Sequence, residues 1–227
     1  MTDGKVRMRK EKMNKTKFDT KKIVGIATFA ALAFGVTFVF RIPVSFLTFD
    51  AKDAILTVAA FIYGPLSAVI MSFLTALIEF ITISDTGIYG AIMNFISSAA
   101  FSFSASFIYK YRRTLTGAII GLYISVAVTT GVMVIMNLLI TPLYMGVART
   151  AVIELLPKLL MPFNFAKALM NAAVVMLIYK PVAIALRRAR LVDGKPMQTK
   201  FGKQSIITII VGALSLAAAI VVFVIIS

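Results

Sequence analysis

From Ile23 onward the chain is a succession of apolar runs: 23–40, 54–63, 65–83, 88–109, 117–140, 157–181 and 205–226. All but the second approach the roughly twenty residues with which a helix crosses a bilayer. None shows the polar–apolar alternation of barrel strands. Hydrophobic residues make up 60% of the chain and charged residues 15%, against about half and about a quarter in soluble domains. The predicted fold class is all-α integral membrane: a six-transmembrane-helix bundle over 23–185 with an extra C-terminal transmembrane helix in 205–227. Residues 1–22 read as a basic tail and 186–204 as a basic linker.

The net charge is +15, which in a soluble protein would suggest nucleic acid. Here the charge sits in flanks and loops, so it reports orientation, and no nucleic-acid partner is expected. With a cytoplasmic N-terminus, nineteen Lys and Arg lie on cytoplasmic flanks and four (Arg41, Lys52, Arg149, Lys158) on outer loops. The predicted location is the cell membrane, multi-pass, with the lipid bilayer as a partner. The first residues do not read as a signal peptide, because the basic stretch runs to Lys22 with no cleavage site after it.

Polar residues inside the apolar runs carry the functional signal. In 157–181, Asn164, Lys167 and Asn171 recur at i, i+3 and i+7, so a helix puts them on one face. A Lys near the middle of a span costs about 3 kcal/mol and usually faces a cavity or a partner. The alternative is a Lys167 that snorkels to the headgroups while the amides join helices. Glu79 follows Ser72 and Thr75 on one face and is the only acid inside an apolar run, where it lines a site or is simply hydrated. Asn94, with Tyr89 in the entry turn, heads a column of Ser98, Ser102 and Ser106, and those serines suit packing. Asn137 and Thr141 end the fifth run before Pro142, and 142–156 has room for a short interfacial helix. Asp53 suits a helix N-cap. The loop 41–52 is unusually apolar, with Phe46, Leu47 and Phe49, and reads either as a lid or as a segment lying on the membrane. In the first run Ala27, Ala31 and Gly35 form a small-residue strip, widened by Ala30, where another helix can approach closely.

The chain has no Cys and no His, which excludes a thiol nucleophile, a His base and a Cys/His metal site. Its acids are too scattered for an enzyme, so none is predicted, and no cofactor. No phosphate-binding Gly-x4-Gly-Lys-Ser/Thr loop occurs, so any ATP-driven step needs another subunit. Asn side chains donate and accept, and Lys donates only. With Phe46, Phe49, Phe95, Phe163 and Phe165 as aromatic faces, a flat heteroaromatic ligand with a polar tail fits best. A proton-coupled carrier using Glu79 and a ligand-free structural protein are the readings from other classes.

Several segments resemble the substrate-binding S components of energy-coupling factor (ECF) vitamin transporters, most closely the riboflavin-specific branch. They are Phe-Leu-Thr-Phe-Asp-Ala-Lys-Asp (46–53), Tyr-Gly-Pro-Leu-Ser-Ala (63–68), Gly-Ala-Ile-Met-Asn-Phe-Ile-Ser-Ser (90–98), Thr-Pro-Leu-Tyr (141–144) and Pro-Phe-Asn-Phe-Ala-Lys (162–167). The resemblance covers about 23–185. It implies a six-helix bundle that takes riboflavin as its transported ligand from outside, under a lid formed by the first loop. It also implies an alanine motif, matching Ala27 and Ala31, that docks on a transmembrane T component carrying two ATPase subunits. The substrate-binding residues expected on this basis are Phe46, Leu47, Thr48, Phe49, Asp50, Glu79, Tyr89, Asn94, Asn137, Tyr144, Asn164 and Lys167. Flavin mononucleotide, folate, thiamin, pantothenate and biotin remain alternatives to riboflavin. The basic tail and the last helix depart from the family pattern.

Overall fold

The computed structural model describes residues 20–188 and 203–226; most of the predicted tail and linker lie outside them. The described elements are helix α1 (Thr20–Val39), strands β1 (Ile42–Val44) and β2 (Leu47–Phe49), and helices α2 (Lys52–Tyr63), α3 (Pro65–Thr82), α4 (Gly87–Tyr111), α5 (Leu115–Met145), α6 (Arg149–Leu155), α7 (Met161–Arg188) and α8 (Lys203–Ile226). One π-helical turn, Leu156–Leu160, joins α6 to α7.

Local chemistry sets several boundaries. Gly64 takes φ +96° between α2 and α3, a backbone state open to glycine, and Pro65 then opens α3, where its missing N–H is no loss. Thr114 caps α5 by accepting from the Gly117 N–H, and Gly146 ends it in the left-handed region.

The structure moves three expected boundaries. Pro142 does not end the fifth helix, which runs on to Met145. Proline removes one backbone bond, and Asn137 and Thr141 reinforce the helix just before it: Asn137 Nδ2 donates to Met133 O at 2.7 Å and Thr141 Oγ1 to Asn137 Oδ1 at 2.9 Å. The short helix expected in 142–156 is α6, but it passes through the π-helical turn into α7 without a break. Asp53 is not the N-cap of α2. Ala51 holds that position, and the Asp53 carboxylate instead accepts from the Ser98 hydroxyl.

The loop 41–52 contains an antiparallel hairpin, with Ile42 opposite Phe49, Pro43 opposite Thr48 and Val44 opposite Leu47. Ser45 turns it with φ 54°.

Among the described residues six helical stretches are long and apolar enough to cross a membrane: Lys22–Val39, Pro65–Thr82, Gly87–Tyr111, Leu115–Met145, Arg149–Val182 and Ser205–Ile226. With 12 residues, α2 rises only about 18 Å. It is nonetheless the hub of the bundle. One face of α2 (Leu56, Ala59, Ala60) packs on α1 and α3 through Ile26, Phe29, Ala33 and Met71. The other face (Ala54, Val58) packs on α4 and α7 in a cluster with Phe101, Ala172 and Val175. So many alanines let backbones close in, which is how helices associate where lipid offers no hydrophobic drive. The last helix, α8, lies along α7. The six-helix bundle with an additional C-terminal helix is therefore the observed fold.

Candidate substrate-binding site

α1, α3 and α5 finish at the end of the bundle where α4 and α7 begin, and the β1–β2 hairpin folds over that end. Between them lies a cavity of about 120 Å³, an order of magnitude more than the roughly 10–15 Å³ that one water needs. Eleven of the twelve expected substrate-binding residues line it: Phe46, Leu47, Thr48, Asp50, Glu79, Tyr89, Asn94, Asn137, Tyr144, Asn164 and Lys167. Phe49 stands apart. Its ring turns to Phe163 of α7 and Phe223 of α8, with centroids 6.1 and 5.0 Å away.

The wall is organised by charge. Lys167 Nζ reaches up to the hairpin, donating to Asp50 Oδ2 at 2.7 Å and to Thr48 O at 3.2 Å. Lys52, only 2% exposed, donates to both Glu79 oxygens at 2.8 and 2.7 Å. Asn94 Nδ2 adds a bond to Glu79 Oε2 at 3.0 Å. Beneath the hairpin Asn171 Nδ2 donates to Asp50 O and Lys167 O, and its Oδ1 accepts from the Ala54 N–H at 2.8 Å. Lys167 and Asn171 therefore tie the hairpin and the head of α2 to α7, while Asn164, on the same face, donates to Leu160 O one turn back at 2.7 Å. They do not snorkel: Asn164, Lys167 and Asn171 are all buried. Burial opposes the charge on Asp50, but the Lys167 and Lys52 ammonium groups outweigh it and hold the Asp50 carboxyl below the usual carboxylate range.

The mouth is aromatic. Phe46 leans on Tyr144, with centroids 6.3 Å apart, and Tyr89 and Phe80 face them from α4 and α3. Arg41 fastens the start of the hairpin to the α3–α4 turn, donating to Ile83 O at 2.7 Å and pairing with Asp85 at 2.9 Å. The Asp85 side chain is 83% exposed, so that pair contributes little.

The expected set of aromatic faces is only partly realised at this site: Phe46 and Phe163 line the cavity, whereas Phe95 packs on Phe73 and Phe165 is exposed. The serine column is structural. Ser98 serves Asp53, Ser102 accepts from Thr57, and Ser106 returns to its own helix. Sequence reasoning missed Lys52, Arg41, Thr37, Ser97 and Met133, all on the wall. For Lys52 there was a signal: a cation between Asp50 and Asp53 at the head of an apolar run.

Residues 21–183 match the family model for the substrate-specific component of ECF transporters. The chain belongs to that family. This S component is 30% identical over 178 residues to the riboflavin transporter RibU of Staphylococcus aureus (strain TCH60), covering 74% of this chain and 93% of the relative. It is 27% identical over 176 residues to the riboflavin transporter FmnP of Bacillus subtilis (strain 168), covering 70% and 90%. A solved S component of a bacterial ECF transporter superposes with a TM-score of 0.63 at 29% identity, over 74% of this chain and 99% of the other. An S component is a transporter subunit, not an enzyme, and this one is a multi-pass membrane protein. Its α8 lies beyond the residues that the family model matches.

Proposed function

We propose that this S component captures riboflavin in the cavity and delivers it through an ATP-driven ECF module. The observation that carries the reading is the joining of a charged, amide-bearing wall to an aromatic mouth under one hairpin. A flat ring finds Phe46, Tyr144 and Tyr89 at the mouth, while carbonyl and N–H groups at a ring edge find Lys167 and the amides of Asn94, Asn137 and Asn164. Two relatives that are riboflavin transporters support the vitamin. Lys52 and Lys167 are already paired with carboxylates, which favours the neutral vitamin over flavin mononucleotide.

The cavity end faces outward in the cell membrane and the N-terminus lies in the cytoplasm; the excess of Lys and Arg on the opposite flanks supports this. The module is a T component with two ATPase subunits. Ala27 and Ala31 are exposed on α1, while their neighbours Ala30 and Ala33 are buried. A small-residue face is thus open for a partner helix.

The test is an absorbance spectrum of the detergent-purified protein, followed by titration with riboflavin read by quenching of flavin fluorescence. Flavin bands, or saturable quenching with weaker competition by flavin mononucleotide, are expected. A colourless protein that leaves added riboflavin fluorescent would overturn the vitamin assignment and leave the fold intact.

A further inference from the structure

α8 is fitted closely to the bundle along its length. At its middle a Cβ on Gly212 would lie 3.1 Å from Met176 Cβ and 3.3 Å from Ala173 O, so glycine is what lets α8 approach α7. Ser215 Oγ and Tyr123 OH share a hydrogen bond at 2.6 Å, and Lys180 Nζ donates to Ser205 Oγ at 2.9 Å. At the cavity end Val222, Phe223 and Ile226 join Val44 and Phe49 of the hairpin and Phe163 and Ala166 of α7 in one apolar cluster. Phe223 and Phe49 are in ring contact, and Phe49 is 8% exposed.

The chain neighbours of Phe49 are Thr48 and Asp50, the two residues through which Lys167 holds the hairpin. A side chain on α8 is therefore one residue removed from both lid ties, yet neither Phe223 nor Phe49 lines the cavity.

We propose that α8 is a lid strut in which Phe223 is a positioning residue. Its ring seats Phe49 and thereby keeps Thr48 and Asp50 over the cavity beside Lys167, without touching the ligand. The strut biases the hairpin toward its closed place, and a closed lid slows ligand escape more than it alters encounter. The inference rests on the reading of the cavity as the flavin site, so its test includes a readout without flavin.

In the full-length protein in detergent, Phe223→Ala is expected to raise the riboflavin dissociation rate about tenfold, with the association rate changed less than about twofold. Phe223→Leu, which keeps an apolar side chain, should restore most of the slow dissociation. Leu214→Ala, on the exposed face of α8, should leave the rate unchanged. Without ligand, Phe223→Ala should speed amide hydrogen exchange in residues 42–50 while α2 and α4 keep their protection. That second readout stands even if riboflavin does not bind to the unaltered protein. Unchanged exchange in 42–50, or exchange accelerated evenly through the bundle, would overturn the strut.

Discussion

At the cavity end helices meet through charge: Lys52 on Glu79, Lys167 on Asp50, Asn94 on Glu79. At the opposite end they meet through shape. Ala59, Ala60 and Ala68 let α1, α2 and α3 close up, and Phe61, Tyr109 and Tyr179 interlock with centroids 4.4 to 5.9 Å apart. Hydrogen bonds and ion pairs can be traded for equivalent bonds to a ligand. Close packing cannot, because a displaced side chain leaves a void. The bundle thus pairs a fixed base with a mouth whose bonds can be exchanged.

The largest break in that contrast should come from Lys52→Met. It leaves Glu79 as an uncompensated buried charge, a loss of about 3–5 kcal/mol. A thermal unfolding series in detergent should show it, and Lys52→Met combined with Glu79→Leu should recover much of it. If the single substitution were neutral, the charged end would not be held by this pair.

Lys167→Met comes next. It removes one hairpin tie and, on the proposed reading, one ligand donor together, and riboflavin binding should weaken at least tenfold, about 1.4 kcal/mol. An unchanged affinity would take Lys167 out of the site. The same tie fixes the pH response. The Asp50 carboxyl sits below its ordinary value of about 4 when folded, so its contribution is fully present above that value and is lost as pH falls through the depressed one. Binding should stay flat from pH 8 to about pH 5 and fail only in stronger acid, in keeping with a chain that has no His. A fall in affinity near neutrality would point to another titrating group.

The smallest effect on binding should come from the base. Ala27→Leu and Ala31→Leu, on the exposed face of α1, should leave affinity within about twofold yet block ATP-dependent uptake by closing the approach of a partner helix. Uptake that survives both changes would assign the strip to lipid.

Apolar runs and helix periodicity made the bundle legible, because a bilayer demands helices and the period reports faces. The same period placed Asn164, Lys167 and Asn171 together on α7, and they are together. Charge partners across elements were harder. Lys52 reads as a flanking cation because nothing local shows that Glu79, 27 residues on, comes back to meet it. The hairpin carries no Asn-Gly or Asp-Gly turn, the strongest short-range sign of one; Ser45 turns it instead. The ring contact from α8 to the hairpin was invisible too, because Phe223 lies in a run whose composition is that of any lipid-facing helix.

The shortness of α2 has an electrical consequence. The hydrocarbon core is about 30 Å thick, but below the cavity only the rise of α2, about 18 Å, separates its floor from the other side. When the hairpin lifts and solution fills the cavity, a membrane voltage would fall mainly along that remaining length, in a field roughly 1.7 times steeper than in plain lipid. Lys52, on the cavity wall at the head of α2, would then sit near the potential of the cavity-side solution. A ligand reaching that wall would have crossed almost none of the voltage, so its capture would be electrically silent even for a charged molecule.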